Sequence, residues 1–397
     1  MTFSPEYRNG LAFINGLSHV YHCNHYNAHL QMSVLLGEGV EEGFDPRQLL
    51  QNSAAELTAW LRRSGIDNRE LLAEFTHCGF GILKQTGPHT IAATSSHYGQ
   101  STYAHGRPEK GCYFNAGFLQ GLAGRSVAET ACRNEGAESD VFEVGARTPE
   151  PADPFIGEPT LDAAPPRFDF DGCEISGSPI DEDKIVSTVA TLPLYGRGQA
   201  EQGDGLIPAF GVVLTNHYAD YYNRISYETY RRMVAAGVPP DMAREAFVQC
   251  GHVCAFNTFG GIMESPEWYG LVEPMCDSVE DWVHGMVAVI NALGWGVWRV
   301  EKLVPGEELI VRIYNSYEGT GYRRLYPQAD EKQLSFLALG AVRGLAHLFW
   351  KIDIRERPGL DDDLYFSVFN NPEGYWNVEQ THAIATGDAY DRIVTTR

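Results

Sequence analysis

The sequence predicts a fold of helices and strands that is built from two copies of one unit. Four short motifs of the first half return in the second half in the same order, at spacings of 192, 215, 219 and 223 residues. Because the spacing only grows, a repeat with insertions in its second copy explains the series. The matches pair Asn24-His25-Tyr26 with Asn216-His217-Tyr218, Gly79-Phe80-Gly81 with Gly294-Trp295-Gly296, Tyr98 with Tyr317, and Gly121-Leu122-Ala123 with Gly344-Leu345-Ala346.

Apolar periodicity and breaker residues predict the elements of the first copy in order. Asp45-Pro46 is typical of a helix start, and the β-branched run Thr90–Ser96 is the clearest strand. The other predicted elements are helices over 19–29, 49–61, 69–75 and 111–131 and a closing strand over 141–144. Glycines at 117, 121 and 124 permit close packing of the last of these helices.

Composition divides the chain into two domains and a linker. We expect a first domain at 1–145, a linker rich in Pro, Asp and Gly at 146–205, and a second domain at 206–397. The linker contains one predicted strand, at 185–192. The widest change of spacing places an insertion near 254–274, in the second domain.

The charge of the chain excludes several classes of partner. With 30 basic and 52 acidic residues, the net charge of −22 argues against nucleic acid and anionic membrane surfaces. No apolar run reaches the roughly 18–20 residues of a membrane span. No signal peptide is recognisable, so we expect a cytoplasmic protein in which the eight cysteines are thiols or metal ligands. The expected partner is a small molecule or another protein.

A histidine-rich stretch is the main candidate for a functional site. If residues 19–29 form a helix, the ~100° step per residue places His19, His22, His25 and His29 on one face. Imidazoles grouped in this way suit zinc, iron or copper, a haem, or acid–base chemistry. The alternative is a solvated face without a function. Cys23 is a candidate nucleophile or ligand, although a buried thiol fits it as well.

The repeated tripeptide singles out one pair of histidines. Symmetry between the copies can bring His25 and His217 to one central cavity, where one acts as base and the other as acid or ligand. Tyr26 and Tyr218 accompany them, either as phenol donors to a substrate or as packing aromatics.

A further series of residues resembles a known family. Gly111–Phe118, Gly124-Arg125, Glu129-Thr130-Ala131-Cys132 and Asp140-Val141-Phe142 are similar to motifs of the 4-vinyl reductase domain family, described as hydrocarbon-binding. The resemblance covers 15–145 and 206–370. It implies an α+β domain whose antiparallel sheet packs on helices and which works as a dimer. The two copies would form that dimer within one chain, and a homodimer of the chain is a further possibility.

The resemblance also implies a zinc site. Glu129 and Cys132 match ligand positions of the family, Asp140 stands where the family has its last cysteine, and Cys112 lies nearby. The alternative is a capping glutamate, core thiols and a turn aspartate. The second copy has no cysteine between 344 and 369, so no metal is expected there.

Two functions from different classes follow, with a third in reserve. The first is an enzyme, a lyase, isomerase or redox enzyme assisted by a metal or haem, that acts on a small hydrophobic or aromatic molecule in a histidine-lined cavity between the copies. The second is a non-catalytic protein that binds or senses such a molecule. The third is a scaffold.

Overall fold

The computed structural model describes residues 5–104, 110–149, 159–198, 203–327 and 334–397. It confirms the α+β class, because antiparallel sheets and helices alternate through both halves. Within these ranges, no helix combines the length and the apolar character that a bilayer crossing needs.

The first half contains short strands, a group of helices and a meander. Its strands are β1 (Glu6–Arg8), β2 (Leu11–Ile14), β3 (Leu17–Cys23), β4 (Gly81–Gln85), β5 (Thr90–Ser96), β6 (Arg125–Ala131) and β7 (Asp140–Arg147). Its helices are α1 (Asn24–Leu35), α2 (Pro46–Arg63), α3 (Asn68–His77), α4 (His97–Ala104) and α5 (Tyr113–Ala123).

The described part of the linker contributes one helix, and the second half repeats the sequence of elements with additions. The helices are α6 (Glu182–Val189) in the linker, then α7 (Ala219–Ala235), α8 (Pro240–Cys254), α9 (Gly260–Glu264), α10 (Pro266–Leu271), α11 (Val279–Ile290), α12 (Tyr317–Leu325), α13 (Phe336–Trp350) and α14 (Asp362–Asn370). The strands are β8 (Ile207–Ala209), β9 (Val212–Tyr218), β10 (Val297–Val304), β11 (Glu308–Tyr314), β12 (Asn377–His382) and β13 (Asp391–Thr396).

Local signals explain where the predicted helices begin. The Asp45 carboxylate accepts a hydrogen bond from the backbone nitrogen of Arg47 at 2.9 Å, and Pro46 opens α2. Asp67 and Glu70 form a capping box at the start of α3. These caps satisfy backbone donors that a helix leaves unpaired, so both helices form where the sequence predicts them.

The halves are joined by a central sheet of five strands in the order β1-β2-β3-β9-β8. In its middle β3 pairs with β9 in antiparallel register, which places His19 opposite Tyr218 and Val20 opposite His217. Each half adds a sheet of its own with the same order, β4-β5-β7-β6 in the first and β10-β11-β13-β12 in the second. The shared order confirms the internal repeat.

Backbone conformation fixes the register of the repeat. Gly79 and Gly81 have positive φ angles of 89° and 113°, and Gly294 and Gly296 have 85° and 111°. Each glycine turn lies against the central sheet strand of the other half. The backbone nitrogen of Asn216 donates to the Cys78 oxygen at 2.9 Å, and the backbone nitrogen of Tyr21 donates to the Leu293 oxygen at 3.1 Å.

These reciprocal bonds make Asn216 the counterpart of Tyr21, a spacing of 195 residues in this part of the chain. The β2–β3 and β8–β9 turns agree, because Asn15 and Gly16 have positive φ angles and so do Phe210 and Gly211. The counterpart of His217 is therefore His22 and not His25. The match between the Asn-His-Tyr tripeptides is three residues out of the structural register.

The predicted helix over 19–29 is wrong in its first half. Residues 17–23 form β3, which pairs with β2 on one side and with β9 on the other. The helix begins only at Asn24, where the Cys23 sulfur accepts a hydrogen bond from the backbone nitrogen of Tyr26 at 3.4 Å. Since side chains three apart on a strand point to opposite faces, His19 and His22 do not share a surface.

The linker and the glycine-rich segment also differ from prediction. Residues 182–189 form a helix, not a strand, because Asp181 caps it and Ile185 and Val189 are buried on one side. Residues 150–158 and 199–202 of the linker lie outside the described residues. Residues 125–131 form β6, not the end of a helix. Gly124 ends α5 in the left-handed conformation.

The insertion of the second half stays a prediction, and the close packing of the glycine-rich helix is confirmed. In the second half α9, α10 and the turns around them separate α8 from α11. Helix α5 packs closely on α2, because a Cβ atom at Gly117 would overlap the backbone oxygen of Gln51 and one at Gly121 would overlap that of Ala55.

Candidate functional site

The structure divides the five predicted site histidines among three elements. His19 and His22 lie on β3, His25 and His29 lie on α1, and His217 lies on β9. His19, His22 and His217 are fully buried, whereas His25 is partly exposed. The predicted one-sided histidine face therefore does not exist as a unit.

His22 and His217 occupy equivalent places on one face of the central sheet, His22 on β3 and His217 on β9. The Tyr98 hydroxyl lies 3.0 Å from Nε2 of His217, and the Tyr317 hydroxyl lies 3.4 Å from Nε2 of His22. Burial raises the pKa of both tyrosines well above 10, so the phenols keep their protons and donate them in these bonds. Each histidine thus accepts a hydrogen bond from a tyrosine of the other half.

Aromatic rings fill the space around this pair. The Tyr222 ring lies between them, 5.1 Å from the His22 ring and 4.3 Å from the His217 ring. Trp295 packs on His22 at 4.9 Å, and its counterpart Phe80 packs on His217 at 4.8 Å. Burial lowers the pKa of both imidazoles well below 6.5, so they are neutral. His22, His217 and the aromatic rings packed around them therefore join the two halves of the chain.

The companions of the histidines have structural contacts of their own. Tyr26 stacks on His22 with ring centres 4.1 Å apart. Tyr218 donates from its hydroxyl to Oε1 of Glu74 at 2.8 Å. Cys23 caps α1 and lies beside Cys254. Desolvation, together with the neighbouring imidazole of His29, lowers the pKa of His25 to about 4. Nothing here tests their catalytic roles, which stay predictions.

A cavity does lie between the halves, but away from the histidines. It has a volume of about 550 Å³ and lies between α2, α7 and α12. Its charged groups neutralise one another, because Arg224 pairs with Glu56 at 2.7 Å and Arg232 pairs with Glu228 at 2.8 Å. The residues that line it are Gly43, Phe44, Asp45, Gln48, Leu49, Asn52, Ser53, Glu56, Arg224, Glu228, Arg232, Arg324, Leu325 and Tyr326.

The four residues of the predicted zinc site meet at one point. Cys112 precedes α5, Glu129 lies in β6, Cys132 follows β6, and Asp140 opens β7. One ligand atom from each lies within 4.8 Å of the others, and both cysteines and Asp140 are fully buried. Two thiols and two carboxylates in such a group can hold a metal ion.

Hydrogen bonds orient the carboxylates of this group. The backbone nitrogen of Cys112 donates to Oε2 of Glu129 at 3.2 Å, and that of Arg133 donates to Oδ1 of Asp140 at 2.8 Å. Oδ2 of Asp140 is buried and has no hydrogen-bond partner among the described residues. Because an unpaired buried oxygen is costly, this atom is available to a ligand.

The protons of the group are unevenly distributed. The thiol of Cys112 hydrogen-bonds to Cys132 and lowers the pKa of Cys132 to about 6. Burial, with the adjacent Cys132 thiolate, raises the pKa of Glu129 to about 9, and burial also raises that of Cys112. Near pH 7 one thiolate is therefore surrounded by two protonated neighbours. That thiolate is the reactive form for a metal.

The second half has the same frame without thiols. Counted from the matching turns and caps, the counterparts of Cys112, Glu129, Cys132 and Asp140 are Ser335, Gln380, Ala383 and Asp391. The Ser335 hydroxyl donates to Oδ2 of Asp391 at 2.7 Å, and the Gln380 amide donates to Oδ1 at 3.0 Å. The carboxylate that is left partly unpaired in the first half is thus fully hydrogen-bonded in the second.

A second group with metal-ligand chemistry was missed by the sequence reasoning. His19, Glu74 and Cys78 bring an imidazole nitrogen, a carboxylate oxygen and a sulfur within 4.8 Å of one another. Glu74 lies in α3 and Cys78 follows it, so nothing in the local sequence connects them with His19. A buried glutamate facing the core side of an amphipathic helix was the available signal.

Comparison with known proteins leaves the family open. No protein-family model matches the chain, and a search of curated proteins finds no match. Membership of the 4-vinyl reductase domain family therefore stays a prediction from the quoted motifs.

Proposed function

We propose that the chain is a metalloprotein whose first half binds one divalent transition ion, most favourably zinc, on Cys112, Glu129, Cys132 and Asp140. The observation that carries the proposal is the convergence of these four side chains within 4.8 Å of one another. They come from a helix start, two strands and a turn, so the tertiary fold gathers them.

The donor set favours zinc over harder ions. Thiolates select zinc, copper(I) and iron–sulfur chemistry, whereas magnesium and calcium require oxygen ligands. Four protein ligands complete a tetrahedral site of the closed, structural type. Such an ion would tie the start of α5 to the β6–β7 edge of the first sheet. A haem, in contrast, rests on the histidines alone and stays a prediction.

The second half supports the proposal by contrast. There the same backbone frame holds Ser335, Gln380 and Asp391 in a closed hydrogen-bond network, with Ala383 at the fourth position. The fold therefore needs no thiols at these positions. The thiols of the first half have chemistry that the second half lacks.

Metal analysis of the purified full-length chain tests the proposal. Replacing Cys132 by Ala should reduce the bound zinc by one ion per chain. The equivalent change Ser335→Ala serves as the control and should leave the zinc content unchanged. An equal zinc content in wild type and Cys132→Ala overturns the assignment.

A gain of binding provides the sharper test. Ser335→Cys, Gln380→Glu and Ala383→Cys rebuild the four-ligand set around Asp391 in the second half. The triple variant should bind one more zinc ion per chain than the wild type, because the backbone frame is already in place. No gain in a folded triple variant would show that this frame does not form a zinc site.

The predicted enzyme or sensor function is a separate question. It depends on His25 and His217 and on a small hydrophobic or aromatic molecule. In the structure the counterpart of His217 is His22, and aromatic rings enclose both imidazoles. Metal binding by the first half does not depend on its outcome.

A further inference from the structure

His19, Glu74 and Cys78 form a polar cluster on the opposite side of the central sheet from His22. All three side chains are fully buried, and Nε2 of His19 lies 3.7 Å from Oε1 of Glu74. One potential ligand atom from each residue lies within 4.8 Å of the other two. The cluster lies at the junction of the halves, since Tyr218 of β9 donates to Glu74.

The imidazole of His19 is oriented as a ligand. Its Nδ1 lies 2.9 Å from the backbone oxygen of Leu17, so this nitrogen carries the proton and donates it. The lone pair then resides on Nε2, which is buried and has no hydrogen-bond partner among the described residues. A carbonyl that fixes the tautomer in this way is the usual support of a metal-bound histidine. Burial lowers the pKa of His19 to about 4, which keeps the ring neutral.

The carboxylate of Glu74 is held by two donors. The Tyr218 hydroxyl donates to Oε1 at 2.8 Å, and the Asn15 amide donates to Oε2 at 2.5 Å. Burial nevertheless raises the pKa of Glu74 to about 7. No arginine or lysine is paired with it among the ion pairs of the described residues. The site therefore holds an acidic group without a permanent countercharge, which is costly in a protein core.

The second half shows that the fold itself does not require these polar groups. By the register of the glycine turns and the strand hairpins, the counterparts of His19, Glu74 and Cys78 are Leu214, Val289 and Leu293. All three counterparts are buried and apolar. Asn15, which supports Glu74, corresponds to Phe210. One half thus packs this place with hydrocarbon, while the other places an imidazole, a carboxyl and a thiol there.

We propose that His19, Glu74 and Cys78 form a second metal site that binds one divalent transition ion of the zinc type. It is distinct from the site of Cys112, Glu129, Cys132 and Asp140, which is called the Cys112 centre below. A neutral imidazole, a carboxylate and a thiolate are all zinc ligands, and the two anions neutralise the charge of the ion. Binding displaces the protons of Cys78 and of any protonated Glu74 to the solvent. The Tyr218 hydroxyl, which donates to Glu74 at 2.8 Å, is a further oxygen within the cluster.

Burial defines how this site behaves. Because the three side chains are inaccessible to solvent, the ion enters while the halves assemble and leaves only when they separate. Zinc in this site should therefore resist a chelator that removes zinc from an accessible centre within the same time. It also ties β3 to the end of α3.

The test replaces the cluster with the residues that the second half uses. The variant His19→Leu, Glu74→Val, Cys78→Leu should stay folded, because the same side chains pack the equivalent place. Refolded with zinc, it should contain one ion per chain fewer than the wild type. In cobalt-loaded protein, the thiolate-to-cobalt absorption should also decrease. The single variant Cys78→Ser keeps the size of the side chain and serves if the triple variant does not fold.

Each of the two metal-site proposals can be refuted independently of the other. Loss of one ion in the His19 variants and of another in Cys132→Ala supports both sites. Zinc that disappears completely in Cys132→Ala, and is unchanged in folded Cys78→Ser and in the triple variant, overturns the buried site alone. Zinc that disappears only in the His19 and Cys78 variants overturns the Cys112 centre and leaves the buried site in place.

Discussion

Removal of the Cys132 sulfur should abolish the stabilisation of the chain by zinc at the Cys112 centre. In the metal-free protein, Cys132 accepts hydrogen bonds from its protonated neighbours. Cys132→Ala leaves those groups buried without their acceptor, which costs about 1–3 kcal/mol before any metal is added. With zinc present, the variant also loses the binding energy of the ion.

The size of the zinc effect follows from mass action. A ligand that binds only the folded chain stabilises it by about 4 kcal/mol when its free concentration is ~1,000 times the Kd. For a cooperative unit of 150–250 residues, each kcal/mol shifts Tm by roughly 2–4 °C. Zinc should therefore raise the Tm of the wild type by about 8–16 °C through this centre. The same addition to Cys132→Ala should give a shift smaller by that amount.

Differential scanning calorimetry with and without zinc measures the shift. Ser335→Ala is the matched control, since it removes the 2.7 Å hydrogen bond to Asp391 in the second half. It should lower Tm in both conditions but keep the zinc-induced shift. If Cys132→Ala shows the full wild-type shift, the ion is bound elsewhere and the reasoning from these four ligands fails.

Three further predictions concern protons and packing. Zinc binding near pH 7 should release about two protons, from Cys112 and Glu129, since burial raises both pKa values. Calorimetric titration in buffers of different ionisation enthalpy counts the released protons, and the Cys78→Ser variant is used for it. Zinc binding without proton release would contradict the assignment. Burial lowers the pKa of eight histidines. Below about pH 6.5 the unfolded chain therefore binds more imidazole protons, and each such histidine lowers the stability by up to ~1.4 kcal/mol between pH 7.5 and 5.5, whereas buried carboxyls with raised pKa values act in the opposite direction. Replacing one of the histidines, His284, by Gln should make the change in stability from pH 7.5 to 5.5 more favourable by up to that amount in urea denaturation; the same pH dependence in the variant and the wild type would refute this. Gly117→Ala should lower the free energy of unfolding by about 1–3 kcal/mol, because the new methyl group would overlap with α2. The control Gly270→Ala has open space around it and should be neutral or stabilising. Equal effects of the two variants in chemical denaturation would argue against close packing of α5 on α2.

Local sequence signals were enough for several elements. Asp45-Pro46 predicted the start of α2, apolar periodicity over 69–75 predicted α3, and the β-branched run Thr90–Ser96 coincides with β5. Such signals act within a turn or a few residues of strand, so they need no knowledge of the rest of the chain. The repeat was also visible, because glycines with positive φ cannot be replaced freely and therefore recur in both copies.

The histidine stretch shows where local signals mislead. Its spacing fits a helix, but residues 17–23 pair with β9, which lies almost 200 residues further along the chain. The partner decides the conformation, and the partner cannot be recognised from the stretch itself. A separate error, the match between the identical Asn-His-Tyr tripeptides, shifted the repeat by three residues and associated His217 with His25 instead of His22.

The four residues of the proposed zinc site were found through a family resemblance, and the tertiary structure brings them together. The cluster of His19, Glu74 and Cys78 had no such signal, because a strand and the end of a helix meet there only after the halves pack. Local sequence determined the helix caps, the glycine turns, the repeat and the supply of ligand side chains. Only the tertiary structure decided the pairing of β3 with β9, the distribution of protons in each cluster, and which residues of the two halves correspond. The reason is that desolvation and contact depend on residues that are distant in the chain.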